Sequence, residues 1–361
     1  MALPRVRALA ALLLATAALA AAQSGNSTQE PGTIPVAFEG SALLISYYSG
    51  VSEALLERGV VVPKQTPISG LSGGAFTGTF LHLGFNGTDM LEFWKSIIDD
   101  CTKTPGGCVG HLNGRMEDKL EKVLPQDAAE QITGVMRIAL SQLDASKRDL
   151  NDSRSWLIAD FFDKADLKSA LTATDFIPCF TGDTVYTIFR NHPVIDGGYA
   201  NGFKELCAGH DIANCIKVAS WYVGDKANRT CDPNRCAASA ASGCTTTERL
   251  TTSLDLYKND YRYVDQWPLI DVYQRCPVSN YPGLAPNPLP DFVPHNQTVI
   301  DIYPGKYGPL PTFNGTETLA CEWQSWSMML PAGMELDAMD VIYQQGYKDG
   351  IAWCDENGYN V

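Results

Sequence analysis

Gly70-Leu71-Ser72-Gly73-Gly74, inside the run from Ile68 to Gly78, constrains this chain more than any other stretch. It fits Gly-x-Ser-x-Gly, a pattern that sets a serine on a tight strand-to-helix turn with its hydroxyl presented beyond the strand end. Small residues are needed on both sides because the backbone bends sharply and neighbouring elements pass close by. Ala75, Phe76, Phe80, Leu81 and Leu83 then supply apolar positions for a buried helix, and Gly84 is placed to end it. A glycine-rich loop with an incidental serine is the competing explanation, and five residues do not separate the two.

The rest of the chain reads as an exported protein. Arg5 and Arg7, the apolar run from Ala8 to Ala18 and the small residues Ala20-Ala21-Ala22 make residues 1–22 a secretory signal. A transit peptide is disfavoured because the segment has no serine. Asn-x-Ser/Thr acceptors at Asn26, Asn86, Asn151, Asn228, Asn296 and Asn314 suit a glycosylated surface. All 11 cysteines lie downstream of the signal, where an oxidising compartment favours disulfides. Cys101 and Cys108 flank Thr-Pro-Gly-Gly and are spaced to close a short loop. Cys231, Cys236 and Cys244 lack zinc-ligand spacing and have no nearby histidine, so a stapled loop is expected there and no metal. The odd count leaves a thiol free or paired with another chain. A formal net charge of −14 excludes nucleic-acid binding through a basic face, and it points away from anionic membranes toward neutral lipid or apolar small molecules.

Hydrophobic patterning outlines an α/β chain. After a polar lead-in over residues 23–33, Ile34 to Phe38 reads as a first strand. Leu43, Leu44, Tyr47, Val51, Leu55 and Leu56 fall near helical spacing, with Gly59 at the end. Val60-Val61-Val62 is a second strand candidate before the serine turn. Met90–Asp100 is expected to be helical, and so is Met116–Ala145, with a break at Pro125. Strands are expected at Tyr186–Phe189, Pro193–Ile195, Cys215–Val223 and Val299–Tyr303, and a closing helix over Ala338–Ile351. Residues 225–295, rich in Cys, Pro, Tyr, Asn and Thr, read as an insertion within one domain over 34–351, leaving 352–361 as a tail.

A serine needs a partner that takes its proton. His82 lies on the helix that follows Ser72 and is carried away from it; His295 alone has the chain order Ser72, Asp196, His295 of a Ser-His-Asp esterase. Asp196 is the stronger partner, because it follows a strand pattern and precedes Gly197 and Gly198, so its carboxyl sits at a strand end beside a close backbone approach.

Gly70-Leu71-Ser72-Gly73-Gly74 together with Asp196-Gly197-Gly198 resembles the patatin-like phospholipase family, most nearly its branch of animal triglyceride lipases. Phe38 to Leu44 with Tyr47-Tyr48 and Gly50-Val51, Asp166 to Leu171 with Ile177-Pro178, Ile195 to Asn201, Cys215 to Val218, and Gly346 to Gly350 extend the likeness. The resemblance implies a three-layer α/β/α domain with a mostly parallel central sheet. It further implies a Ser72 nucleophile, an Asp196 base and an oxyanion hole from the N–H groups of Gly40, Ser41 and Gly73. The expected activity is cleavage of fatty-acyl esters of phospholipids, galactolipids or acylglycerols through an acyl-enzyme. It needs no cofactor or metal and involves transient contact with a membrane or lipid-droplet surface. The chain departs from the family at Glu39 to Ala42, where several glycines are usual; at a position with positive φ, Ala42 is strained. A lipid-binding protein with little or no catalysis is the alternative that departure raises. Tyr47, Tyr48, Trp323 and Trp326 are candidates for an acyl groove.

Overall fold

A computed structural model describes residues 32–104, 108, 110–143, 153–178, 180–210, 213–221, 299–313, 317–318, 323 and 336–359. The expected signal over 1–22, the expected insertion over 225–295, His295, Trp326 and every sequon except that at Asn86 lie outside the described residues. Strand β1 (Val36–Phe38) leads through a 3-10 turn (Ala42–Leu44) into helix α1 (Ile45–Glu57). Strand β2 (Ile68–Leu71) enters α2 (Gly73–His82), followed by α3 (Gly87–Thr102), α4 (Leu112–Val123) and α5 (Ala128–Ile132). Next come β3 (Met136–Leu143), β4 (Ser153–Ile158), α6 (Lys164–Thr174), β5 (Thr187–Phe189) and β6 (His192–Ile195). A 3-10 turn (Gly197–Tyr199), α7 (Phe203–Leu206), β7 (Ile216–Val218), the short pair β8 (Thr312–Phe313) and β9 (Glu317–Thr318), and α8 (Leu336–Glu356) complete the described elements.

The central sheet is parallel over β7, β1, β2 and β3, with β4 and β6 antiparallel to β3 and β5 antiparallel to β6. Strand alternation divides the core in two. Val36, Phe38, Ile68, Met136, Ile138 and Leu140 face the main apolar cluster, shared with α1, α2, α3 and α8. Ala37, Leu71 and Ala139 face a smaller cluster with Phe203, Leu206 and Ile300. Helices on both faces make the three-layer α/β/α arrangement. Helices α1 and α8 cross closely: a Cβ on Gly50 or Gly346 would collide with the other helix's backbone at Tyr343 or Tyr47.

Both strand ends that matter lie on one edge of β3. Leu71 of β2 pairs with Ala139, running parallel. Ile195 of β6 pairs with Ser141, running antiparallel on the same edge, because β4 fills the other edge from Ile138 to Leu143. The next residue of each strand, Ser72 or Asp196, therefore falls opposite Leu140. Two strands running head-on bring residues far apart in sequence to one point. The gap left in the ladder is filled by Asn201, whose Nδ2 donates to the Leu140 carbonyl at 3.0 Å and to the Gly197 carbonyl at 2.8 Å.

Several elements differ from the sequence expectation. Val60–Val62 is an irregular turn with Val60 and Val61 buried, not a strand; the N–H groups of Val60 and Val61 both donate to the Leu55 carbonyl, capping α1. The helical reading of Met116–Ala145 fails from Met136, which begins the central strand β3; a short run rich in Met, Leu and Ala carries no period that separates buried strand from buried helix. Val299–Tyr303 contributes only a bridge from Ile302 to Val218. Helix α8 runs past Ile351 to Glu356 with Trp353 and Cys354 buried, so the expected tail begins later. The acceptor Asn86 is exposed and caps α3, its Oδ1 accepting the Asp89 N–H at 2.8 Å. Cys101 and Cys108 form the expected disulfide; Cys207–Cys215, which joins α7 to β7, was not legible from spacing. Among the described cysteines Cys354 is free, and burial pushes its thiol up to about 12. No helix among the described residues is long and apolar enough to cross a membrane.

Candidate active site

Ser72 occupies the turn between β2 and α2 with φ 49° and ψ −131°, a conformation that non-glycine residues rarely adopt. Packing holds it there. A Cβ on Gly70 would strike the backbone of Gly74 and Ala75, and one on Gly74 would strike the carbonyls of Phe38 and Glu39. The Ser72 N–H donates to Thr174 Oγ1 at 2.9 Å, and Thr174 Oγ1 donates to the Ala139 carbonyl at 2.5 Å. The elbow is thus tied to the last residue of α6 and to β3.

Asp196 sits where the register places it, with Oδ1 accepting the Gly198 N–H at 2.8 Å. Gly197 lies against the Ala139 carbonyl, Leu71 and Thr174, which leaves no room for a Cβ. Its carbonyl accepts from Ser141 Oγ at 3.0 Å. A second carboxyl enters beside them. Ser72 Oγ donates to Asp175 Oδ1 at 2.8 Å, and the Asp196 N–H donates to the Phe176 carbonyl at 2.8 Å. Ser72, Asp175 and Asp196 are 3%, 8% and 1% exposed, a reacting group and two carboxyls nearly shut off from solvent.

Of the three expected oxyanion residues, Gly40 lies near Ser72, Gly73 follows it in the chain, and Ser41 lies against Gly73. A Cβ on Gly40 would come within 3.7 Å of Ser72 Cβ, and one on Gly73 would meet the Ser41 side chain. The Gly40 carbonyl accepts from Trp221 Nε1 at 2.9 Å and from Tyr48 Oη at 3.3 Å, which fixes the loop. Intrahelical bonding in α2 begins with Ala75 and Phe76 donating to the Ser72 carbonyl, so the Gly73 and Gly74 amides lie in the unpaired first turn.

No family model matches the chain. Curated relatives do, over about half of its length. Human "Omega-hydroxyceramide transacylase" is 24% identical over 180 residues, covering 48% of this chain and 31% of the relative. Mouse "1-acylglycerol-3-phosphate O-acyltransferase Pnpla3" is 23% identical over 191 residues, 52% of this chain and 43% of the relative. Human "Patatin-like phospholipase domain-containing protein 4" is 22% identical over 184 residues, 50% of this chain and 70% of the relative. Over that half the chain is similar to patatin-like proteins. It spans less than half the length of the first two of these relatives. Among solved structures, VipD from Legionella pneumophila aligns at a TM-score of 0.38 and 11% identity, over 91% of this chain and 67% of that one.

Electrostatics of this site are set by burial. Asp175 is pushed up to about 8, first by burial and then by the charge of Asp196, against the hydrogen bond from Ser72. Asp196 is pushed up to about 7 by burial, opposed by the Gly198 N–H and by the nearby Ser72 hydroxyl. Asp175 is the residue that sequence reasoning missed. It lies between the quoted stretches Asp166–Leu171 and Ile177-Pro178, and the only local signal is an acid ending a helix just before Phe-Ile-Pro.

The remaining candidates sort by packing. His82 is buried, accepts the Lys64 N–H on Nδ1 at 3.0 Å and is lowered to about 4 by burial, so it stays neutral and remote. Tyr47, Tyr48 and Trp323 are fully buried core, Tyr47 standing edge-on to Trp323 at 5.7 Å, and do not line a groove. Glu39 is buried on the loop after β1. Tyr48 is raised well above the usual phenol range, by burial first and by the Glu39 charge second.

Ala42 does adopt positive φ, at 44°. Such a conformation costs an alanine about 1–2 kcal/mol. Ala42→Gly is therefore expected to raise stability by about 0.5–1 kcal/mol after the added chain entropy of glycine. The urea midpoint measures it, and an unchanged or lower midpoint would mean that the loop bears no strain.

Proposed function

We propose that the protein is a secreted lipid acyl hydrolase that cleaves fatty-acyl esters through Ser72 and Asp196. The observation that carries this reading is the head-on meeting of β2 and β6, which brings a strained, buried serine and a buried carboxyl together opposite Leu140. Ser72 Oγ attacks the ester carbonyl and its proton passes to Asp196. An ordinary aspartate near ~3.9 is too weak a base at neutral pH, and a carboxyl raised to about 7 is matched to the task. The Gly40, Ser41 and Gly73 amides stabilise the oxyanion, water releases the fatty acid, and Ser72 is restored. The relatives named a transacylase and an acyltransferase motivate one branch: a lipid alcohol replacing water at the second step gives acyl transfer on the same serine.

Export is supported by the leader-like residues 1–22 and by two disulfides among the described cysteines. Access to lipid esters requires transient contact with a membrane or droplet surface.

The test uses disulfide-competent, glycosylated protein, a lipid-ester panel, and a fluorophosphonate probe. Ser72→Ala is expected to lower hydrolysis and transfer alike by on the order of 10⁴-fold or more and to abolish probe labelling. Hydrolysis surviving in Ser72→Ala would reject the serine mechanism. A wild-type protein that binds lipid but takes no label would be the non-catalytic lipid binder. Loss of activity in His295→Ala would favour the Ser-His-Asp esterase alternative, and preserved activity would eliminate it.

A further inference from the structure

A serine–aspartate dyad needs one carboxyl, and this site holds two. Their backbone settings are opposite. Asp175 is the C-cap of α6, where the helix end carries partial negative charge and a carboxylate is disfavoured. Asp196 caps the turn Gly197–Tyr199, where the Gly198 N–H favours a carboxylate. Asp196 Oδ2 is buried with no hydrogen-bond partner among the described residues, an open acceptor beside the serine. Two adjacent buried carboxyls do not both ionise at neutral pH, and environments that push such a pair apart identify the acid and the base.

We propose, resting on the serine chemistry above, that Asp175 is a second catalytic residue: it holds the proton the pair shares and gives it to the departing alcohol oxygen, while Asp196 takes the proton of Ser72. The leaving oxygen is bonded to the same carbon as Ser72 Oγ, so a carboxyl 2.8 Å from Oγ reaches it. Asp175 is also the more exposed of the two, at 8% against 1% for Asp196.

The proton count closes. The Ser72 hydroxyl first turns from Asp175 Oδ1 to the open Asp196 Oδ2; as the bond from Oγ to the acyl carbon forms, the Ser72 proton goes to Asp196 and the carbonyl electron pair to its oxygen. As the bond from carbon to the alcohol oxygen breaks, that oxygen takes the Asp175 proton, leaving Asp175 ionised and Asp196 neutral. In deacylation water gives a proton to Asp175, Ser72 Oγ recovers one from Asp196, and the resting state returns. The groups facing the pair are the Ser72 and Thr174 hydroxyls from the elbow and α6, and the Gly198 N–H; Glu39, from the loop after β1, acts on Tyr48. No cation among the described residues enters the balance.

The working form, Asp196 ionised and Asp175 neutral, is bounded by the two titrations, so kcat/KM for an alkyl ester is expected to rise and fall around pH 7–8. Asp175→Asn keeps the acceptor for Ser72 and removes the proton. It is expected to abolish the alkaline limb and to slow an alkyl ester about 10²–10⁴-fold. A p-nitrophenyl ester, whose leaving group needs no proton, should fall by less than about tenfold. Equal loss on both esters, or a surviving alkaline limb, would overturn the proposal, and so would an active Asp196→Asn beside a dead Asp175→Asn. If Asp175→Asn fails to fold, wild type decides: sensitivity of kcat/KM to the acidity of the alcohol must steepen as pH passes about 8, and constant sensitivity refutes the role. Fluorophosphonate labelling of Ser72 separates the failures, since a labelled serine with an unmoved profile removes Asp175 alone and an unlabelled one removes the serine chemistry with it.

Discussion

Asp196→Asn is expected to lose hydrolysis and, at neutral pH and above, to unfold less readily than the wild type. In the unfolded chain Asp196 ionises near 3.8, whereas in the fold burial pushes it up to about 7. Below pH 3.8 both states hold the proton and the group contributes nothing. Between the two values the native state keeps a proton that the unfolded state has lost, so stability falls as pH rises, by about 1.4 kcal/mol per unit. The whole window amounts to roughly 4 kcal/mol at most, reached near pH 7 and constant above it. Asparagine has no such window. It also removes the charge that raises Asp175, which extends the gain into the range where Asp175 ionises, near 8. A new amide in a pocket built for a carboxyl offsets about 1–3 kcal/mol if its N–H groups find no acceptor. The slope is therefore the decisive readout: urea unfolding of the two proteins from pH 4 to 9 should give curves that separate steadily up to neutral pH. Parallel curves would show that Asp196 is not held in a raised, buried state, and its fitness as a base would fall with it.

That stored cost explains which parts of the site were legible from sequence. The elbow announces itself because a bent backbone requires Gly70 and Gly74, and the aspartate because Gly197 must pass against Ala139. Close backbone approach leaves glycines, and glycines are visible in a chain. Helix α1 and its stop at Gly59, with φ 67°, were visible for a related reason, apolar spacing followed by a left-handed end. The strand between the two site residues was not. Met136 to Leu143 is buried on both faces, so it shows neither the alternation of a half-exposed strand nor a break from the helices before it. Asp175 was hidden for a topological reason. It is 103 residues from Ser72, and only the docking of α6 beside β3 brings its carboxyl to the hydroxyl. Ala42 shows the two levels agreeing: the missing glycine was read as strain at positive φ, and the loop adopts that φ with alanine in place.

Gly74→Ala should then be the most damaging single change at the elbow, and its partner Gly73→Ala should damage function more than folding. The Gly74 Cβ would lie closer than 3.0 Å to the carbonyl oxygens of Phe38 and Glu39 and to the Phe38 carbonyl carbon. All are backbone atoms of β1 and the loop that follows it, and β1 is locked between β2 and β7 by parallel pairing. No rotamer change relieves that contact; α2 must lift from the sheet, which opens the main core at Phe76 and Phe80. Overpacking a rigid site costs about 1–3 kcal/mol where neighbours yield, and more where they are strand backbone. Insoluble or unfolded protein is the expected result, seen as lost yield and a flat near-UV circular dichroism spectrum. At Gly73 the first atoms met are the Ser41 side chain and Ile45 Cδ1, both able to move. Gly73→Ala should therefore fold, with a urea midpoint near that of the wild type. It should nevertheless lose activity by on the order of 10²-fold or more, because displacing Ser41 disturbs a loop proposed to hold the oxyanion. Folded, fully active Gly73→Ala protein would remove Ser41 from the oxyanion hole and leave Gly40 and the residue-73 N–H, which alanine retains, as the donors to examine.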